Sequence, residues 1–245
     1  MSNRTTKKIG VFLPALFFAL SNLAYAQTLD EIVQKNLAAR GGYEKLKQLN
    51  AFTRKGTIFI PGASLNFAFT SINMRPNFIR VESSFNSQKM IEAYDGQAAW
   101  SINPLMGSTE PRVMPKSEAK SFLEQAEFDH PFIDYQSRKI ALKLTGKEIV
   151  GDREAFLIRR NTETRDFDVY FVDSQTYQII QKRSRRIVRG QTIDTLTRFS
   201  DFRETAGLVS PRFIEIDGPQ RSEITIEEIT YNENHGKEIF SMPTF

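Results

Sequence analysis

Among its 245 residues the chain has no cysteine. Disulfides, thiolate metal sites, cysteine nucleophiles and a lipid-modified cysteine are therefore excluded. Histidine occurs only as His130 and His235, far apart in sequence, too few to supply a zinc centre with its usual ligands. No nucleophile-elbow motif places a serine where either histidine could activate it. These gaps predict neither an enzyme, a metal nor a cofactor, and the "FDHPF" around His130 reads as a loop packing on a sheet. Tryptophan occurs once, as Trp100.

A long hydrophobic run is also missing. The longest, "IGVFLPALFFAL", is too short for a bilayer span of about 20 residues, and Pro14 breaks it as a helix. Preceded by Arg4, Lys7 and Lys8 and followed by Ala24-Tyr25-Ala26, it has the order of a secretory signal peptide, expected over residues 1–26. A single exported domain, residues 27–245, should remain, soluble and not lipid-anchored. Excess charge is scarce as well. Without those three leader residues the 33 lysines and arginines fall to 30, against 29 acidic residues, which leaves no basic footprint for nucleic acid.

What is present is periodicity. Thr28 followed by Glu31 is a capping box, and Leu29, Ile32, Val33 and Leu37 recur at helical spacing up to Gly41-Gly42. A second short helix is expected from Tyr43 to Leu49. From Ala51 the period becomes two. "AFTRKGTIFI", "SLNFAFTSINM", "FIRVESSF", "KMIEAY" and "QAAWSIN" read as five consecutive strands, with Gly62, Pro76 and Asp95-Gly96 at the turns. Residues 104–136 read as an insertion over the sheet, with a helix capped by Ser117 and carrying Phe122, Leu123 and Ala126. Seven further strands follow, to about eleven or twelve in all. Few helices interrupt them, so the fold class is α+β: a large, curved antiparallel sheet with helices on one face.

Such a sheet raises a conflict. Leu65, Phe67 and Phe69 line one face of the second strand while Ala68, Thr70, Ile72 and Met74 line the other, so both faces need cover. Outside the leader 17 of the 20 phenylalanines remain. Either aromatic side chains fill the curved sheet, or an apolar cavity remains for a ligand. Leu65, Phe67, Phe69 and Met90 are the candidates to line it.

"MRPNFIR" and "AYDGQAAWSINP" add a second line of inference. Arg75-Pro76, then Asp95-Gly96, Trp100 and Asn103-Pro104, then Phe240 and Pro243 near the end, resemble in order the periplasmic lipoprotein carriers, the LolA/LolB-like proteins. The longer start, "LAARGGYEKLKQLNAFTRKG", is similar to a broader branch of that superfamily. The resemblance implies an unclosed half β-barrel of about 11 strands under a helical lid, with acyl chains inside. It implies that Arg75, aimed by Pro76, latches the lid, and that Trp100 belongs to the lipid-binding region. It also implies an inner-membrane donor complex, an outer-membrane acceptor, and a monomer that carries lipoproteins or lipids across the periplasm. The other reading is an envelope sensor or accessory protein that binds a lipidated or protein partner without transport.

The physical task fits a cavity. Exposing an acyl chain of about fifteen carbons costs on the order of 12 kcal/mol at about 0.8 kcal/mol per CH₂. Latch bonds worth about 1 kcal/mol each are small beside that. Two basic features stay open. Arg80 reads as an outward-facing strand residue. The strip Lys182, Arg183, Arg185, Arg186 and Arg189 reads either as a charge-blunted edge or long hairpin, or as a contact for anionic head groups.

Overall fold

In a computed structural model of the protein, residues 27–162, 166–188 and 190–243 are described; the expected signal peptide lies outside them. Helix α1 (Leu29–Ala39) starts with the capping box in place. The Thr28 hydroxyl accepts from the Glu31 amide, and the Glu31 carboxylate accepts from the Thr28 amide. Gly41 and Gly42, both at positive φ, end the helix and lead into α2 (Tyr43–Gln48). A Cβ on Gly41 would lie 2.3 Å from the Gly207 carbonyl oxygen, so the close approach also requires glycine.

Strands follow as β1 (Ala51–Ile60), β2 (Leu65–Met74), β3 (Phe78–Phe85), β4 (Gln88–Tyr94), β5 (Ala99–Asn103) and β6 (Ser108–Val113). Helix α3 (Lys116–Gln125) then precedes β7 (Leu142–Val150), β8 (Arg153–Asn161), β9 (Phe167–Asp173), β10 (Ile179–Val188), β11 (Gln191–Thr205), β12 (Leu208–Asp217) and β13 (Ser222–Tyr231). All thirteen form one sheet in the order β6-β5-β4-β3-β2-β1-β13-β12-β11-β10-β9-β8-β7. Every strand pairs antiparallel with a sequence neighbour except at one place, where β1 pairs with β13. The chain therefore starts mid-sheet, runs out to β6, crosses to the far edge at β7, and returns. That crossing segment carries α3 over the sheet.

The sheet is curved and unclosed, as expected, with two differences. Strand β6 falls within the stretch read as an insertion; it is short, polar and carries Pro111, which suits an edge. Helix α3 begins at Lys116 after Pro115 with no side-chain cap, so Ser117 lies within its first turn and does not cap it.

The register sorts side chains onto two faces. On the inner face, α1 and α2 cover Phe156, Ile158, Tyr170 and Val172 from β8 and β9, with Ile32, Val33, Leu37 and Leu46 buried against them. Helix α3 covers Ile79, Ala99 and Met114 through Ala119, Phe122 and Ala126. Burying a side chain of this size contributes about 1.5–3 kcal/mol, so these two patches fix the helices on the sheet. Between them the inner face is not covered.

Candidate ligand-binding cavity

Where the helices leave the sheet uncovered there is a cavity of about 1110 Å³. One wall is apolar: Phe52, Phe199, Ile214, Ile226 and Ile229 from the sheet, and Phe128 from the segment after α3. The Phe52 and Phe128 rings meet at 5.2 Å between centroids. The other wall, from β8 to β10, is charged.

Helix α3 bridges the two walls. Its apolar side packs on β3 and β5, and its far side is held by ion pairs. Lys120 reaches Asp166 at 3.0 Å, and Glu124 reaches Arg186 at 2.7 Å. Just beyond the helix Glu127 reaches Arg160 at 2.9 Å and Arg138 at 2.8 Å. Arg186 also meets Asp168, which is 3% exposed. Burial works against the Arg186 charge, yet Glu124 and Asp168 outweigh it and raise its pKa. Asp166 is likewise held below the usual carboxylate range: burial opposes its charge, but Lys120 and the Ile187 amide overcome that.

Apart from the exposed Lys116, three cations on the lining have no carboxylate ion pair among the described residues: the half-buried Arg40, Arg54 and Lys182. Arg40 caps the C-terminus of α1, and its carbonyl accepts from the Val209 amide at 3.1 Å. Its side chain is half-buried on the lining of the hollow, and its Nη1, itself shielded from water, has no hydrogen-bond partner among the described residues. Burial lowers its pKa to about 10. Arg54 sits on β1 in the same phase as Phe52. It donates from Nη2 to Ser71 Oγ and Asn73 Oδ1, each at 3.3 Å, and its Nε has no partner. Burial lowers its pKa too. Both guanidiniums lie within electrostatic reach of Tyr231.

His130 completes this wall. Its ring packs edge-on against Phe132 and Tyr170, and Nδ1 accepts from the Phe132 amide at 3.2 Å. Burial, then the charges of Arg40 and Lys182, hold its pKa well below the ordinary value. The loop expected around it does pack on the sheet. Among the described residues no group of three or more histidines, aspartates or glutamates is arranged to hold a metal ion.

The residues singled out from the sequence fall elsewhere. Arg75 and Pro76 line a smaller hollow of about 480 Å³, which shares Tyr94, Leu123, Glu127 and Phe128 with the large one. Arg75 Nε donates to the Leu49 carbonyl at 2.5 Å, Nη2 to the Leu46 carbonyl at 3.4 Å, and Nη1 and Nη2 to the Asp129 carboxylate at 2.5 and 2.7 Å. One side chain thus ties the β2–β3 turn to both the end of α2 and the segment after α3. Its guanidinium also lies over the Phe128 ring at 4.5 Å.

Trp100 is a correction. It is 1% exposed and points to the outer face, where its Nε1 donates to the Phe240 carbonyl at 2.7 Å. Strand alternation puts Trp100 opposite to its neighbours Ala99 and Ser101, so it anchors the C-terminal segment and does not touch the cavity. Phe69 is buried against the lining residues Ile226 and Ile229 but is not itself among the lining residues. Leu65, Phe67 and Met90 lie further along β2 and β4 and are not lining residues either. Phe67 meets Phe85 instead, at 5.3 Å.

Arg80 does lie on the outer face, but it is engaged. It donates to Glu82 and to the Ile239 carbonyl at 2.7 Å, and stands over Trp100. The basic strip is mostly paired too. Strand β10 is interior and forms a long hairpin with β11; Arg185 pairs with Asp194 and Arg186 turns inward. Arg189 lies outside the described residues.

The fold is similar to that of several solved structures at low sequence identity. The LolA superfamily protein NE2245 from Nitrosomonas europaea superposes with a TM-score of 0.62 at 14% identity, over 88% of this chain and 98% of that one. A putative outer membrane lipoprotein-sorting protein domain from Vibrio parahaemolyticus gives 0.57 at 10% identity, over 86% and 95%. A DUF1329 family protein from Desulfovibrio piger gives 0.57 at 13%, over 85% and 97%. No family model matches the sequence, and no curated protein does. Among the described residues no helix is long and apolar enough to cross a membrane.

Proposed function

We infer that the protein is a soluble periplasmic carrier that takes acyl chains of lipids or lipoproteins into the cavity and moves them toward the outer membrane, without catalysing a reaction. The observation that carries this reading is the hollow itself. At about 1110 Å³ it lies at the top of the range for small-molecule pockets, and its aromatic and aliphatic wall suits hydrocarbon. Two proteins with the same fold, a LolA superfamily protein and a putative outer membrane lipoprotein-sorting domain, support the choice of cargo class.

The two seams of α3 suggest how cargo enters. Its apolar seam on β3 and β5 is the permanent attachment, and its ionic seam to β8–β10 is the side that opens. Arg75 holds the neighbouring segment through Asp129, so it serves as the latch. The test is titration of delipidated protein with a fatty acid that fluoresces in apolar surroundings. Saturable binding with one site per chain is expected. A signal no greater than that of an unrelated protein would end the carrier reading.

A further inference from the structure

Resting on the carrier reading and narrowing it, we propose that the cargo is an anionic amphiphile: its hydrocarbon tail lies on the Phe52–Ile229 wall and its carboxylate or phosphate head is taken by Arg40, Arg54 and Lys182. A cavity that accepted hydrocarbon alone would have no use for half-buried cations that no carboxylate neutralises. An uncompensated buried charge is costly, and native proteins pair such groups or let them coordinate something. On this lining Lys116 is exposed to water, and Lys120, Arg160 and Arg186 obey that rule, each meeting a carboxylate. Arg40 and Arg54 do not, and each leaves a guanidinium nitrogen without a partner beside the hollow.

The three cations line one cavity. Arg40 and Arg54 share Tyr231 as a neighbour, while Arg40 and Lys182 act together on His130. Arg54 also bridges the two chemistries of the site. On β1 it follows Phe52 in the same phase, and its register partner on β13 is the lining residue Ile229. A head group bonded there leaves its tail beside hydrocarbon. Guanidinium groups present paired donors to carboxylate and phosphate oxygens alike, so one site serves either head.

The test uses three probes with the same dodecyl chain, dodecanoate, dodecyl phosphate and dodecanol, together with inorganic phosphate, each displacing the fluorescent fatty acid. The proposal expects both charged probes to compete at least about tenfold more tightly than dodecanol, the scale of hydrogen bonds to charged groups. The tighter of the two identifies the head. Arg40→Gln and Arg54→Gln should each erase most of that preference and leave dodecanol affinity within about twofold. Arg40→Lys should keep part of it, which separates lost charge from damaged folding, and Lys55→Gln on the opposite face should change nothing. Equal competition by charged probes and dodecanol would overturn the proposal and leave the carrier reading standing. So would inorganic phosphate competing as well as dodecyl phosphate, which would mark a site for free anions. Binding of none of the amphiphiles would remove the carrier reading and the proposal with it.

Discussion

Replacing Arg75 with leucine isolates the contact that holds the helical cover to the strands. The wild-type guanidinium makes two charge-assisted bonds to Asp129, at 2.5 and 2.7 Å, and one to the Leu49 carbonyl at 2.5 Å. Leucine keeps the stem's apolar contact but removes all three, together with the longer bond to the Leu46 carbonyl, and strands Asp129, whose side chain is 16% exposed. Breaking a fully buried pair from one side costs about 3–5 kcal/mol. Arg75 is itself 24% exposed, so water recovers part of that and about 2–3 kcal/mol is expected. For a domain of this size that lowers Tm by roughly 5–10 °C. Urea unfolding of Arg75→Leu, Asp129→Asn and the double variant provides the assay. The double variant should lose clearly less than the sum of the single losses, because the second change removes the stranded charge. A single-variant loss below about 0.5 kcal/mol, a value typical of exposed pairs, or strict additivity, would refute the reasoning. The same variant should also load the fluorescent fatty acid faster if the contact is a latch.

Other consequences are quicker to state. Burial holds His130 neutral, so between its unfolded pKa near 6.5 and its lower folded value only the unfolded chain gains the proton. Its stabilising contribution is present above pH 6.5 and is lost as the pH falls, at up to about 1.4 kcal/mol per pH unit. Urea unfolding of His130→Gln at pH 7 and 5.5 should show a shallower loss than wild type. Gly56 stands at the bulge where β1 meets β13, and a Cβ there would lie 1.9 Å from the Thr225 carbonyl oxygen. Gly56→Ala should cost about 3 kcal/mol in urea unfolding. Phe240 is 0% exposed and packs on Phe78, so Phe240→Ala should cost about 3–5 kcal/mol and quench or shift Trp100 fluorescence as its partner segment loosens.

Much of the scaffold was legible because it is written locally. Thr28, Glu31 and the glycine pair bracket α1 by capping chemistry alone, and the strands from Ala51 to Tyr94 announce themselves by alternation. Strand β6 was not legible, because an edge strand needs only one partner and tolerates the proline and charges that hide it. Faces were harder still. Alternation says that Trp100 and Ala99 point opposite ways but not which way is inward; that depends on where α3 and the C-terminal segment settle. Arg75 was found through resemblance, and the contacts it makes involve residues 26 and 54 positions away. Of the lining cations, Lys182 and Arg186 stood out only as part of the basic strip, and Arg40 and Arg54 were missed. Arg40 comes from a helix end, Arg54 from β1 and Lys182 from β10, and only the β1–β13 closure and the fold of α1 gather them. One signal was available: Arg54 occupies the phase of Phe52 and Ile58, a charge where the pattern calls for an inward apolar residue.

The most direct measurement is native mass spectrometry of the protein purified from its own cell envelope without detergent exchange. The account predicts a noncovalent adduct of lipid mass, one per chain, that disappears under denaturing conditions and whose released species carries a negative charge. Bare protein alone, both as isolated and after incubation with lipids extracted from that envelope, would contradict it.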